Sequence, residues 1–198
     1  SDGSFIYPNE FIPFFEESGL IVDVDYYIYE EVFKDMRHRL DRKLPIVPIS
    51  MNISRVHLET DNLIHYIKTL FNRYNIPSEY IEFEITESVY MQNFNKAVSL
   101  VAGLKDLGAK ISMDDFGSGY SSLNMLNTLP IDVLKIDKVF LGNDIRKLSE
   151  SQKIIIKSVI EMATKLNLRT VCEGVESKEQ SEFLISVGCD MIQGYYFQ

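Results

Sequence analysis

The chain has 198 residues, 45% of them hydrophobic and 12% aromatic, which is enough for one sizeable core and one domain over residues 1–198. Its net charge of −9 argues against a protein that coats duplex DNA or anionic lipid, since both demand basic surface, and leaves open a small anionic ligand held through metal ions. No apolar run approaches the roughly 20 residues of a membrane helix, and no signal peptide opens the chain, so no membrane contact is expected from this segment.

Taken from the N-terminus, "NEFIPFFEESG" and "VDYYIYEEVFKDMRHRLDRK" carry helical spacing. "PIVPISMN" reads as a strand and "LETDNLIHYIKTLFNRYN" as an amphipathic helix. "YIEFEIT" is the next strand, followed by the helix "NFNKAVSLVAGLKDLG", which Gly108 closes. In "KISMDDF", Ile111 and Met113 alternate with Ser112 and Asp114, the two-residue period of a strand. A short helix around "SSLNMLNT" leads to the strand "VLKIDKVF". The polar piece "GNDIRKLSESQK" is a loop or a solvated helix start, and "SQKIIIKSVIEMATKLN" is a long helix. "LRTVCEGV", "SKEQSEFLISVG" and "MIQGYYF" read as strand, helix and strand. Strands alternating with helices, with no hairpin signal, imply an α/β fold with a parallel sheet, open or closed into a barrel.

Polar residues gather where these strands end. They are Asn52, then Glu84 with Glu87 beyond it, Asp114 with Asp115, Lys135 with Asp137, Glu173 with Glu176, and Gln193. In parallel α/β architectures those ends open onto one face, where ligand sites form. A single acid at a strand end is ordinarily a helix cap or turn residue, and Glu87 and Gln193 read equally well that way. Six successive strands ending so is harder to attribute to capping. Carboxylates with an amide oxygen, without histidine or thiolate, make a hard oxygen site suited to Mg²⁺ or Mn²⁺, and also to Ca²⁺. Two such ions about 3.5–4 Å apart clamp both sides of an in-line phosphoryl displacement. The adjacent aspartates would otherwise repel each other, and Gly117 and Gly119 give the following segment freedom to order around the site. Lys135, between Leu134 and Ile136, points to the polar face of its strand and stays protonated among so many acids. It therefore orients water or stabilises phosphate charge, or else simply balances the acids. The histidines, His38, His57 and His65, are scattered and read as surface or packing residues. Cys172 and Cys189 give neither a disulfide framework nor a zinc signature, and read as small buried hydrophobes in a reducing compartment.

The blocks "FIPFFEESGLI", "MNIS", "EFEITES", "DDFGSGYSSL", "LKID", "CEGVE" and "QGYYF" resemble, in order, those of the EAL-domain cyclic-di-GMP phosphodiesterases. The resemblance runs from about Phe11 to the end of the chain. It implies a modified TIM barrel, (βα)8, with one strand antiparallel. It also implies hydrolysis of one phosphodiester of cyclic-di-GMP to linear pGpG, using Mg²⁺ or Mn²⁺ in a two-metal site and inhibited by Ca²⁺. By the resemblance, Asn52, Glu84, Asp114, Asp115 and Glu173 are metal ligands, and Lys135, Asp115 and Glu173 form the catalytic set. Glu87 anchors the loop after the paired aspartates, a loop that the family uses to couple homodimerisation to metal binding. Gln193 binds substrate. Cys172 and Ser118 stand where alanine and threonine are commoner, both mild changes.

The Glu-Ala-Leu signature that names the family is absent. The family places it upstream of "GSFIYPNEFIP", so a barrel lacking its first strand or strands is expected, short by a little at the C-terminus too. A further metal ligand, the signature glutamate, falls in that upstream part. The segment is expected to be cytoplasmic, on its own or as the cytoplasmic part of a membrane-anchored protein. The alternative to an enzyme is a catalytically silent EAL-type receptor for cyclic-di-GMP. Another metal-dependent barrel enzyme, one stabilising an enolate, also fits acids and a lysine at strand ends but not the ordered blocks.

Overall fold

The computed structural model describes residues 6–60, 62–118, 123–142 and 145–197. The chain packs into two compact units, Ser1–Phe83 with Asn93–Ala109, and Glu84–Gln92 with Lys110–Gln198. Its strands, β1 (Ile49–Asn52), β2 (Ile81–Thr86), β3 (Lys110–Phe116), β4 (Val133–Ile136), β5 (Arg169–Cys172) and β6 (Met191–Ile192), follow chain order in one sheet. The pairs β3–β4, β4–β5 and β5–β6 are all parallel. The α/β class, with the strand–helix alternation of a TIM barrel, is as the sequence predicts.

In the first unit, α1 (Pro8–Ser18) precedes α2 (Ile21–Asp41), which buries Ile21, Asp25, Tyr29, Phe33 and Met36 along one stripe. That three-to-four-residue spacing is the core-facing face of a helix. Its opposite face carries exposed ion pairs such as Arg39–Asp35, worth little each. Helix α3 (Leu63–Tyr74) packs on it through rings: Phe33 meets Phe71 edge-on at 5.0 Å, and Tyr26 stacks on Tyr66 at 4.1 Å. Helix α5 (Phe94–Asp106) adds Ala97, Leu100, Val101 and Leu104 to this core.

In the second unit, strand burial is nearly continuous: all four residues of β4 are buried, as are Thr170, Val171 and Cys172 of β5. Strands covered on both faces read this way. A short helix, α6 (Leu123–Thr128), comes between β3 and β4 in the chain, and helix α7 (Glu150–Lys165) starts at a reciprocal capping box between Ser149 and Gln152 and buries Ile156, Ile160 and Ala163. Helix α8 (Lys178–Ser186) starts at a second such box, Ser177 with Gln180. These helices and strands enclose a core that contains Ile136, Ile156, Ile160, Cys172, Val175 and Leu184.

Three expectations need correction. The strand foreseen over residues 133–140 stops at Ile136, because the Asp137 carboxylate caps the Val139 N–H at 2.6 Å and starts a 3₁₀ turn. The last strand is two residues long and gives way to a 3₁₀ turn over Tyr195–Phe197. A short helix, α4 (Glu87–Gln92), lies where only a connection was expected. The piece from Gly142 to Lys153 is a 3₁₀ turn over Ile145–Lys147 and then the start of α7, with residues 143 and 144 outside the described residues.

Candidate active site

The second unit gathers the acids that the sequence places at strand ends. Lys135 is at the centre, its side chain only 10% exposed. Its Nζ lies 2.7 Å from Glu173 Oε1, 2.9 Å from Glu84 Oε2 and 3.1 Å from Asp114 Oδ1. These groups come from β4, the residue after β5, β2 and β3. Burial pulls the lysine's pKa down, but hydrogen bonds to Glu173 and Glu84 and the charge of Asp114 outweigh it and leave the pKa raised. Its acid partners thus favour the charged ammonium over the free amine.

The paired aspartates share this site because β3 is not regular there. In a regular strand, neighbours point to opposite faces. Here Met113 lies opposite Leu134 and Phe116 opposite Ile136, so Asp114 and Asp115 together face a single residue of β4. That is a β-bulge, which bends the strand and re-aims its side chains. Asp115 takes the left-handed conformation, φ 55°, which aspartate tolerates better than most residues, and its N–H donates to Asp114 Oδ1 at 3.0 Å. As a result one carboxylate oxygen from each of Asp114, Asp115 and Glu173 lies within 4.8 Å of the others. Asp115 carries the electrostatic consequence. Burial, then the charges of Asp114, Asp137 and Glu173, hold its carboxyl above the usual range, against the pull of Lys135.

The segment after the bulge is tied down at its start. Gly117 has φ 96°, and a side chain there would run into the ring of Phe140. Its N–H donates to Oε2 of the buried Glu87 at 3.3 Å. That bond links the first turn of α4 to the residue after β3. Gly119 to Ser122, the rest of that segment, lie outside the described residues. Gln193 follows β6, with its N–H on the Cys172 carbonyl at 2.9 Å, and its side chain is exposed. Asn52 ends β1 in the first unit, where it is exposed and its carbonyl accepts from the Tyr29 hydroxyl at 2.7 Å.

Among the described residues, four half-buried carboxylates gather about one ammonium. The donors are all hard oxygens, and those of Asp114, Asp115 and Glu173 lie within 4.8 Å of one another, so the residues fit a divalent cation.

Three features escape a reading of the sequence. Glu82 is buried and accepts from Ser50 Oγ at 3.1 Å, and the alternation Glu82, Glu84, Thr86 was its available signal. His57 is buried, with Nε2 2.9 Å from Asp25 Oδ2, and nothing in the spacing of residues 25 and 57 announces the pair. Beside it, a groove of about 320 Å³ is lined by Leu58, Leu63, Ile64, Leu100 and Lys96, and that lysine is paired with Glu59 at 3.0 Å. Cys172 and Cys189 are not merely two separate hydrophobes: their sulfurs are 3.3 Å apart, and Cys189 is only half-buried. That contact holds the Cys189 thiol below its usual value, and the same contact, with burial, pushes Cys172 up.

Comparison with known proteins gives one family. The model described as EAL domain matches residues 1–198. The chain is 39% identical over 196 residues to the signaling protein YkoW of Bacillus subtilis, covering 99% of this chain and 24% of that protein. It is 35% identical over 190 residues to the cyclic di-GMP phosphodiesterase PdeR of Escherichia coli K12, covering 96% of this chain and 28% of PdeR. It thus spans about a quarter of the length of these relatives. Among solved structures, the PaMucR phosphodiesterase in complex with c-di-GMP superposes with a TM-score of 0.89 at 32% identity, covering 98% of this chain and 78% of that one.

Proposed function

This chain belongs to the EAL-domain family, and from that premise we propose that it is the catalytic part of a metal-dependent phosphodiesterase, which opens cyclic-di-GMP to linear pGpG. The observation that carries the proposal is the set of four carboxylates, Glu84, Asp114, Asp115 and Glu173, around Lys135. Relatives named as cyclic di-GMP phosphodiesterases and a neighbour solved with c-di-GMP support the substrate.

In this reading Asp114, Asp115 and Glu173, with Glu84, would hold Mg²⁺ or Mn²⁺. When bound, such ions polarise a phosphoryl oxygen and activate water at neutral pH. The protein's own groups do the rest. Positive charge in the cluster would offset the burial and the like charges that raise the Asp115 carboxyl. Lys135 stays charged throughout and offers its ammonium to the developing charge on phosphate or to a water it orients. Glu87 keeps the start of the segment after the aspartates in place through Gly117, and Gln193 contacts the substrate. Homodimerisation through that segment and a cytoplasmic setting complete the proposal.

The test is incubation of cyclic-di-GMP with the protein and Mg²⁺ or Mn²⁺, with nucleotides resolved by chromatography. The expected result is pGpG, lost on chelation and in Asp114→Asn. Binding of cyclic-di-GMP without product at saturating metal would instead establish the silent receptor.

A further inference from the structure

The cysteine pair lies directly behind the proposed site, and nothing in the hydrolytic reading uses it. Cys172 ends β5, one residue before Glu173. Cys189 lies in the connection from α8 to β6. Both side chains belong to the apolar layer that packs with Ile156, Ile160 and Leu184. Their sulfurs are 3.3 Å apart, so forming a bond of about 2.05 Å needs a closure of little more than an ångström. The two differ in access: Cys172 is 0% exposed, whereas Cys189 is half-buried. A reagent in solution meets Cys189 first and finds Cys172 already in contact behind it.

We propose that Cys172 and Cys189 are a reversible dithiol–disulfide pair, oxidised by hydrogen peroxide, whose closure alters the placement of Glu173. The chemistry balances with the peroxide as sole oxidant. The Cys189 sulfur attacks one peroxide oxygen, the O–O bond breaks, and Cys189 becomes a sulfenic acid as the first water leaves. The Cys172 sulfur then attacks the sulfenyl sulfur. The S–S bond forms, the S–O bond breaks, and the oxygen departs as a second water with the Cys172 proton. Two thiols lose two electrons and two protons, and one peroxide becomes two waters. A dithiol reductant reverses the step.

The consequence follows from what the two cysteines carry. The Cys172 carbonyl accepts from the Gln193 N–H at 2.9 Å, and the Glu173 N–H donates to the Ile136 carbonyl at 3.1 Å. Glu173 Oε1 is the nearest acid oxygen to Lys135, at 2.7 Å. Drawing the two sulfurs together moves the backbone on which Glu173 and Gln193 are mounted. Misplacement of about 1 Å costs up to about a hundredfold in rate. This second half rests on the hydrolytic reading of the site, whereas disulfide formation does not.

The experiment treats the protein with hydrogen peroxide, with and without later dithiothreitol, in wild type and Cys189→Ser. Thiols are counted by titration under denaturing conditions, cross-linked peptides are identified by mass spectrometry, and cyclic-di-GMP hydrolysis is followed in parallel. The expected result is loss of both thiols, a single intramolecular 172–189 cross-link, and hydrolysis lowered about tenfold or more and restored by reductant. Cys189→Ser should keep its rate through the same treatment. Two thiols surviving, or Cys189 passing to sulfinic acid without a cross-link, overturns the pair. A cross-link that leaves an active enzyme's rate unchanged overturns the coupling to Glu173. A reduced wild type without hydrolysis counts against the hydrolytic reading and with it the coupling, while the thiol count still decides the pair.

Discussion

Each unit of the molecule buries a polar cluster, and the two are built on opposite plans. In the first unit, Asp25 meets His57 at 2.9 Å, one acid to one base, with the Tyr26 and Tyr29 rings 5.5 and 6.2 Å from the imidazole. In the second, Lys135 serves Glu84, Asp114 and Glu173 at once, with Asp115 beside them. The first cluster pairs one acid with one imidazole and is flanked by aromatic rings. Among the described residues the second sets four acids about one cation, and burial with like charge raises the Asp115 carboxyl. Buried charge is tolerated when paired and costly when not. A one-to-one pair therefore supports the fold, and a cluster rich in acids is a place for a counter-ion.

The largest effect that separates the two plans is on hydrolysis. Asp114→Asn should lower cyclic-di-GMP turnover about a hundredfold or more, because metal-assisted charge stabilisation is worth several kcal/mol. Asp25→Asn should leave the rate per folded molecule unchanged. Equal losses in the two variants, measured in one assay, would erase the distinction.

Stability comes next. Lys135→Met leaves several acids without their cation, and breaking a buried ion pair in this way costs about 3–5 kcal/mol. A lower urea midpoint in chelator, largely restored by Mn²⁺, is the expected outcome. If Mn²⁺ restores nothing, the acids are not waiting for a cation. A smaller loss, about 1–3 kcal/mol, is expected for Asp25→Asn, which strips His57 of its buried partner. That loss should be the same with and without Mn²⁺.

The smallest effect has a defined pH dependence. Because the Asp115 carboxyl is held above the usual range, the native state binds more protons than the unfolded one, and stability falls as pH rises through the raised value. Asp115→Asn removes that cost. In chelator the variant should melt a few degrees above wild type at neutral pH, with the gain fading as pH drops below the ordinary carboxylate range. A gain that is flat with pH would point to packing and not charge.

How much of this was legible beforehand depended on whether the signal was local. Strand β3 could be bounded to the residue, since Ile111 and Met113 alternate with Ser112 and Asp114 and Gly117 follows Phe116. The bulge within it could not be foreseen, because the same alternation sends Asp114 and Asp115 to opposite faces, and only the register against β4 shows otherwise. Helix α4 was hidden because Glu87 to Gln92 is a short run with no stop signal before Asn93, which caps the next helix. The acids at the strand ends were visible as a recurring pattern, and the hub role of Lys135 followed from charge. The pairing of His57 with Asp25, and of Cys172 with Cys189, depends on tertiary contact, which spacing along the chain does not encode.

The central claim, that a cluster rich in acids in the second unit holds divalent cation, is tested most directly by titrating the whole chain with Mn²⁺ and reading free Mn²⁺ by electron paramagnetic resonance, in wild type and Glu173→Gln. The account predicts saturable binding in wild type, weakened about tenfold or more in the variant. Equal affinity in both, or no binding by wild type at millimolar Mn²⁺, would contradict it.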